Sequence, residues 1–407
     1  MALCRITGFS LSMLLFVAIP ARGGWQEGKE AFLANRLEEA AREFEAVSRA
    51  HPDHAAAFYM LGKTQQRQGK SSEALQSLRR ATELDPGSAS FALALGEVYL
   101  DESEPRKALL SLAKHPLNGL PEGVESAYLA TFVTAAMKAE GTPESEGALE
   151  AAVAQKPGAK TLWLTLAKTR ERSGDTASAL DAYGKALEID GGDEALGRKA
   201  VQLAWDLAAE TQGEDRQEAY RRAADLALRA AAAGPSTAQR LVAGEALLLA
   251  GDPAAAARWL TPASRGEGRA AANYLLARCA LGEGDGRKAL GHLEKALEAL
   301  PDADLQSRVH RTRGRAQHLL KDYSAAAASY RASGDPAKAA EMDRFAKIAR
   351  ENAEIERKRE ECLAEKAKIE SLRSEQEGLE GTDVWQRMER VFAEKLAACE
   401  PYLNQES

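Results

Sequence analysis

The chain has 407 residues, 45% hydrophobic but only 6% aromatic, and its net charge of -7 comes from 28% charged residues of mixed sign. Such an alanine-rich, aromatic-poor composition suits close helix-on-helix packing rather than a wide enzyme interior. With a pI near 5.7, bulk electrostatics exclude a general attraction to phosphate backbones, so no nucleic-acid partner is expected.

Residues 1–23 read as an export signal. Arg5 supplies the positive end, Ile6 to Pro20 form a mostly apolar run, and Ala21-Arg22-Gly23 precedes a cleavage point before Gly24. The run is short for a bilayer span, so no stable membrane insertion is expected after cleavage; an uncleaved signal would tether the chain. Removing Arg5 and Arg22, with no acid in the segment, takes the net charge from -7 to -9. Cys4 precedes the apolar run and is not placed for lipidation at the cleavage point. Export predicts a periplasmic or extracellular location, where disulfides persist.

From there a 34-residue period sets in. Gly28, Gly62 and Gly96 are each followed twelve residues later by Ala40, Ala74 and Ala108, and four further on by Phe44, Leu78 and Leu112. The signature returns at Ala167-Ala179-Tyr183, Gly244-Ala256-Leu260, Ala277-Ala289-Leu293 and Gly314-Ala326-Tyr330. In one unit Phe58, Leu61, Gly62 and Gln65 share a helical face by i, i+3, i+4, i+7 spacing, with Ala74, Leu78 and Ala81 on the answering face. Gln68-Gly69 and Asp85-Pro86-Gly87 supply the turns. Gly96 to Ala167 is 71 residues, two periods plus three, which predicts a degenerate unit over Ser126–Pro157 after a Pro116–Pro121 insert. Ala167 to Gly244 is 77, two periods plus nine, and the excess falls in a long unit over Glu194–Pro235 with a turn at Thr211–Asp215. Nine units are expected. The boundaries are 24–120 for regular N-terminal repeats, 121–236 for irregular ones and 237–335 for C-terminal repeats.

Over 336–407 the grammar changes to a charged helical hairpin, expected to cap the array. Ile348, Ile355, Cys362 and Ile369 recur every seven residues, as in a coiled-coil seam. Gly378-Leu379-Glu380-Gly381 ends that helix, Thr382 and Asp383 offer caps, and Trp385, Met388, Phe392 and Cys399 share one face of a second. The midpoint of Cys362 and Cys399 falls inside the glycine turn, which predicts a disulfide closing the hairpin, the alternative being two free core thiols. Cys279, between Leu276 and Ala280, is expected to be a buried, inert thiol.

The best-preserved units resemble the tetratricopeptide repeat: Phe58, Leu61-Gly62, Ala74 and Pro86; Trp163, Leu166-Ala167, Ala179 and Tyr183; Leu276-Ala277, Ala289, Ala296 and Pro301. The resemblance covers roughly residues 24 to 334. It implies an all-α, right-handed solenoid of helical hairpins that holds protein or peptide partners without catalysis. Together with the export signal it is similar to bacterial envelope proteins that support secretion, pilus or outer-membrane assembly. Family members that grip carboxylate tails use Lys, Asn and Asn at their first three groove positions; here Trp25, Lys29 and Met60 stand there, so that mode is not implied.

No cofactor, metal or catalytic residue is expected. His51-Pro52-Asp53-His54 occupies an inter-repeat turn without third and fourth ligands, and Gly282–Lys288 resembles a phosphate loop but lacks a preceding strand and a following Ser or Thr. Two surfaces are candidates for partner contact. Arg308, Arg311, Arg315 and His318 share one helical face, with Arg278 at the place equivalent to Arg315 one unit earlier, an arrangement suited to carboxylates. The acidic Glu351, Glu354 and Glu361 of the last helices are placed to cover it instead. Tyr59, Lys63, Gln66 and Leu93 form a second, less charged stretch. The expected function is a non-catalytic envelope or periplasmic scaffold. The rivals are an accessory subunit of an envelope hydrolase or polysaccharide-handling machine, and a membrane-tethered structural protein.

Overall fold

The computed structural model describes residues 24–139, 141–299, 301–375 and 381–403, within which there are 20 helices and no strand. The expected export signal, residues 1–23, and residues 378–380 of the expected glycine turn lie outside the described residues.

Two compact units, residues 1–210 and 211–407, divide the chain. In the first, hairpins form from α1 (Trp25–Leu33) and α2 (Leu37–Ala50), α3 (Ala55–Arg67) and α4 (Ser71–Leu84), and α5 (Ala89–Asp101) and α6 (Pro105–Leu112). Two more follow: α7 (Glu122–Lys138) with α8 (Pro143–Gln155), and α9 (Lys160–Ser173) with α10 (Thr176–Ile189), on which α11 (Glu194–Glu210) packs. In the second unit α12 (Gly213–Ala230) leads into α13 (Thr237–Leu249) with α14 (Pro253–Ala263), α15 (Arg269–Gly282) with α16 (Gly286–Glu298), and α17 (Ala303–Leu319) with α18 (Tyr323–Ala332). It ends with α19 (Pro336–Glu375) and α20 (Asp383–Leu403). The long unit expected over Glu194–Pro235 is therefore divided at residue 210. Its turn is shorter than expected, because α12 already starts at Gly213 and places Glu214 and Asp215 in the first helical turn, where acids complement the helix dipole.

Each hairpin closes on the small-residue signature. A Cβ placed on Gly62 would lie 2.6 Å from Leu78 Cγ, and one on Gly244 2.4 Å from Leu260 Cγ. Only glycine permits those second-helix leucines, both fully buried, to reach the first helix. Between hairpins, first helices also touch one another along the array, α3 with α5, α7 with α9, and α13 with α15 and α15 with α17. That row positions the candidate surfaces. Aspartates Asp252, Asp285, Asp302 and Asp322 cap α14, α16, α17 and α18 by accepting from the backbone N–H three residues on.

The Pro116–Pro121 insert is tied down by the Leu117 amide, which donates to Gln155 Oε1 at 2.7 Å, and ahead of it the buried Tyr128 hydroxyl donates to the Leu112 carbonyl at 2.7 Å. Burial raises the phenol well above its ordinary range, so it stays a donor at all physiological pH. Tyr128→Phe is expected to destabilise the first unit by about 1 to 2 kcal/mol, because the Leu112 carbonyl is left without that partner. Urea titration checks this, and an unchanged midpoint would place water on that carbonyl.

Of the hairpin expected to cap the array, the first turns cover the last repeat. Only the start of α19 packs on the repeats, Ala339 and Met342 closing a cluster with Ala326, Ala327 and Tyr330. Beyond Ala346 the buried residues of α19 are Cys362 and Ile369, and those of α20 are Phe392 and Cys399. Helix α20 packs on α19, so the pair forms an arm attached through α19. Ile348 of the expected seam is 50% exposed, and the described part of α20, which runs to Leu403, does not reach its level. The Trp385 amide donates to Thr382 Oγ1 at 3.2 Å, capping α20. Cys362 and Cys399 are joined through sulfur, with Cα atoms 5.4 Å apart.

Candidate partner-binding groove

Period-34 stacking places equivalent side chains of successive first helices next to one another. In the first unit this ties up the expected Tyr59 stretch. The Tyr59 ring stacks on Phe91 with centroids 4.8 Å apart, Lys63 Nζ donates to Glu97 Oε2 at 3.3 Å, and Gln66 Nε2 donates to Asp101 Oδ2 at 3.1 Å. Leu93 is half-buried beside them. Each tie crosses one repeat, so these residues serve first as inter-repeat contacts. The same device recurs where Lys160 Nζ donates to Asp190 and Asp193 at 2.7 and 2.8 Å. Again, Lys199 Nζ reaches Glu171 Oε2 at 2.8 Å and the Tyr183 hydroxyl at 2.9 Å. Burial alone would raise the Glu171 carboxyl, but hydrogen bonds from Lys199 and Tyr183 outweigh it and hold the group below its usual range.

The second unit is different. Arg278 Nη1 donates to Glu245 Oε1 at 3.3 Å, thirty-three residues earlier. Arg308 lies over the Tyr274 ring, 4.9 Å from its centroid, with Asp304 at 3.7 Å. For Arg311 and Arg315, both exposed, no carboxylate partner is found among the described residues. The acids expected to cover them are engaged along their own helix instead: Glu351 with Lys347, and Glu354 and Glu361 with Arg357.

Arg315 lies where two grooves adjoin. One, about 220 Å³, is lined by Leu248, Arg278, Leu281, Gly282 and Arg315. The other, about 510 Å³, is lined by Leu281, Arg315, His318, Leu319, Lys321, Tyr323, Tyr330 and Lys338. Neither lining contains an acid. The ring of His318 stacks on Phe345 of α19, centroids 6.0 Å apart, with Tyr323 at 5.7 Å from His318 and 5.6 Å from Phe345. Burial raises the Tyr330 phenol against the opposing pull of Arg315, leaving a neutral hydroxyl at the groove wall. The structure thus brings together Arg278, Arg315 and His318, leaves Arg308 on the Tyr274 ring, and adds Lys321, Tyr323, Tyr330 and Lys338. Lys338 comes from α19, beyond the point where the repeat pattern stops, and nothing in that pattern marks it.

Against known families, a model described as tetratricopeptide repeat matches residues 26–65, 59–115 and 131–194. Over those residues the chain carries tetratricopeptide repeats. It is similar to peroxisome biogenesis protein 5 of Arabidopsis thaliana, 34% identical over 110 residues, and to a peroxisomal targeting signal receptor of Yarrowia lipolytica, 34% identical over 92 residues. Those alignments cover 25% and 23% of this chain, which spans about 15% of the length of either relative. Among solved structures it is similar to MamA, with 22% identity over 40% of this chain and 88% of that one at a TM-score of 0.32.

Helical-hairpin geometry also accounts for the residues that imitate chemistry. His54 accepts the Ala57 amide at its Nδ1, 3.0 Å away, and so caps α3. Gly284 and Asp285 make the turn between α15 and α16, Gly284 with a φ of 78° and Asp285 capping through the Lys288 amide. No group of three or more His, Cys, Asp or Glu side chains placed to hold a metal ion occurs among the described residues. Cys279 is buried and its thiol is pushed up to about 11, chiefly by burial, which keeps it protonated and unreactive.

Proposed function

We propose that this protein is a non-catalytic scaffold of the periplasm or cell envelope that holds protein partners or extended peptide segments on the surface made by its first helices. The observation that carries the reading is the pair of grooves adjoining at Arg315, whose linings hold cations and leucines but no acid, so that Arg315 has no carboxylate partner among the described residues. Tetratricopeptide repeats support it, since stacked hairpins offer long surfaces rather than an enclosed reaction chamber. The name of one relative, a receptor for a peroxisomal targeting signal, is in keeping with peptide capture. The compartment rests on the composition of residues 1–23. Among the described residues no helix is long and apolar enough to cross a membrane.

Photo-crosslinking in cells tests both halves. A photoreactive residue at position 315, and another at position 66, are expected to capture protein partners, most strongly at 315, from protein recovered in the envelope fraction with a mature N-terminus near Gly24. Capture of no protein at either position overturns the scaffold reading. Recovery from the cytosol with Met1 retained overturns the compartment.

A further inference from the structure

The charge pattern of the second unit breaks the rule followed in the first. Lys63 meets Glu97 and Lys160 meets Asp193 across one repeat, opposite charges at nearly equivalent positions. Arg278 has Glu245 behind it in the same way. For Arg315 the equivalent residue one unit earlier, thirty-seven positions back, is Arg278, a like charge already paired with Glu245, so that level offers it no acid. Arg311 has Tyr274 at its equivalent position, so no acid stands there either. Like charges at matching levels of an array oppose folding, and a sequence that satisfies its charges elsewhere retains them here against that cost. A groove of one sign, in a chain whose net charge is -7, also concentrates field toward an incoming anion.

The lining decides which anion. Leu248, Leu281 and Leu319 supply apolar contact beside the cations. The aromatic rings that would serve as stacking platforms for bases are already occupied, His318 and Tyr323 with each other and Phe345, and Tyr330 is buried. An arginine pair over leucines suits carboxylates borne between apolar side chains.

We propose that the groove of the second unit, formed by Arg278, Arg315, Lys321 and Lys338 around Leu281 and Tyr330, binds an extended acidic peptide segment with apolar residues between its carboxylates. This deepens the scaffold reading and rests on it. Departures from the array pattern at the α18–α19 junction then have a purpose: Lys338, placed over the Tyr330 ring at 5.8 Å, closes the groove with a cation from the arm.

The test uses the full chain, a fluorescein-labelled peptide of alternating Asp, Leu and Glu, and its amide counterpart with Asn and Gln. At low ionic strength the acidic peptide is expected to bind at least about tenfold tighter than the amide, as the loss of one charge-assisted hydrogen bond would give. Arg315→Glu with Lys338→Glu should abolish that preference. A Lys-substituted peptide should bind the doubly reversed protein better than it binds the original. Arg315→Gln with Lys338→Gln, both on exposed side chains, gives a variant with an unchanged melting temperature in which the preference still falls. Equal binding of acidic and amide peptides overturns the proposal, as does a preference untouched by the variants. So does inorganic polyphosphate binding where the acidic peptide does not. Crosslinking from position 66 that persists through such a failure would retire the groove while leaving the scaffold standing.

Discussion

Leu78→Ala is expected to lower the stability of the first unit by about 3 kcal/mol, within the range found when a fully buried leucine is truncated. For a unit of this size that corresponds to roughly 6 to 12 °C in melting temperature. The cause is specific to the hairpin: Leu78 lies directly over the backbone of Gly62, so its removal leaves a void between two helices joined by a short turn. Gly62→Ala alone is also expected to destabilise, by about 1 to 3 kcal/mol, because its Cβ would meet Leu78 Cγ at 2.6 Å and the Ala74 carbonyl oxygen at 3.2 Å. The two together should cost less than their sum by at least about 1 kcal/mol, since the new methyl enters the space that the leucine vacates. Thermal and urea unfolding of the four proteins measure this coupling, and strict additivity would mean that the two residues do not share a space. The residual contact with the Ala74 carbonyl keeps the rescue incomplete.

That hairpin contact was legible in the sequence because it is local and periodic. Gly62, Ala74 and Leu78 lie within a single repeat, and the same spacing at Gly244, Ala256 and Leu260 describes a second example with no further information. The all-α hairpin architecture follows from seven such recurrences. Surface assignments fared differently. Lys63 and Gln66 stand on the open face of α3, as their helical spacing requires, but openness depends on what the next repeat presents, here Glu97 and Asp101. The period could have supplied that as well, by reading position 63 against position 97. Arg315 shows the converse: its isolation is visible only when position 278 is compared with it, and the helical face alone does not distinguish it from Arg308. Lys338 and Phe345 were beyond reach because they belong to α19, where the period ends, and their approach to α17 depends on how one hairpin receives a helix unlike its own. Ile348 misled for a related reason. A seven-residue stripe states which side of a helix is apolar, whereas the length of the partner decides how much of that side is covered.

The arm formed by α19 and α20 is the place where a covalent bond adds most to sparse packing. Cys362, Ile369, Phe392 and Cys399 are the buried residues of this interface beyond Ala346, while Ile348, Leu363, Val384 and Val391 remain about half exposed or more. Across the pair, Arg373 forms a double hydrogen bond with Glu389 at 2.9 and 2.7 Å, and Lys395 pairs with Glu365. Ion pairs in solvent contribute about 0 to 1 kcal/mol each, so they orient α20 rather than hold it. Closing a loop with a sequence separation of 37 residues contributes about 3 to 4 kcal/mol in the chain-entropy description, comparable to what burying Ile369 and Phe392 supplies. Cys399→Ser, or mild reduction, is therefore expected to release α20 from α19 while the repeats stay folded. Hydrogen exchange across residues 383–403 should become fast, and peptides from α3, α4, α15 and α16 should keep their protection. Retained protection of α20 in the reduced protein would show that Phe392 and the Arg373–Glu389 pair suffice. Non-reducing peptide mapping that recovers the Cys362 and Cys399 peptides unlinked would remove the bond from the account altogether. Because α19 also supplies Lys338 and Phe345 at its other end, the same variant separates two roles of one helix. The groove should bind its acidic peptide unchanged if only the segment of α19 beyond Ala346 depends on the disulfide.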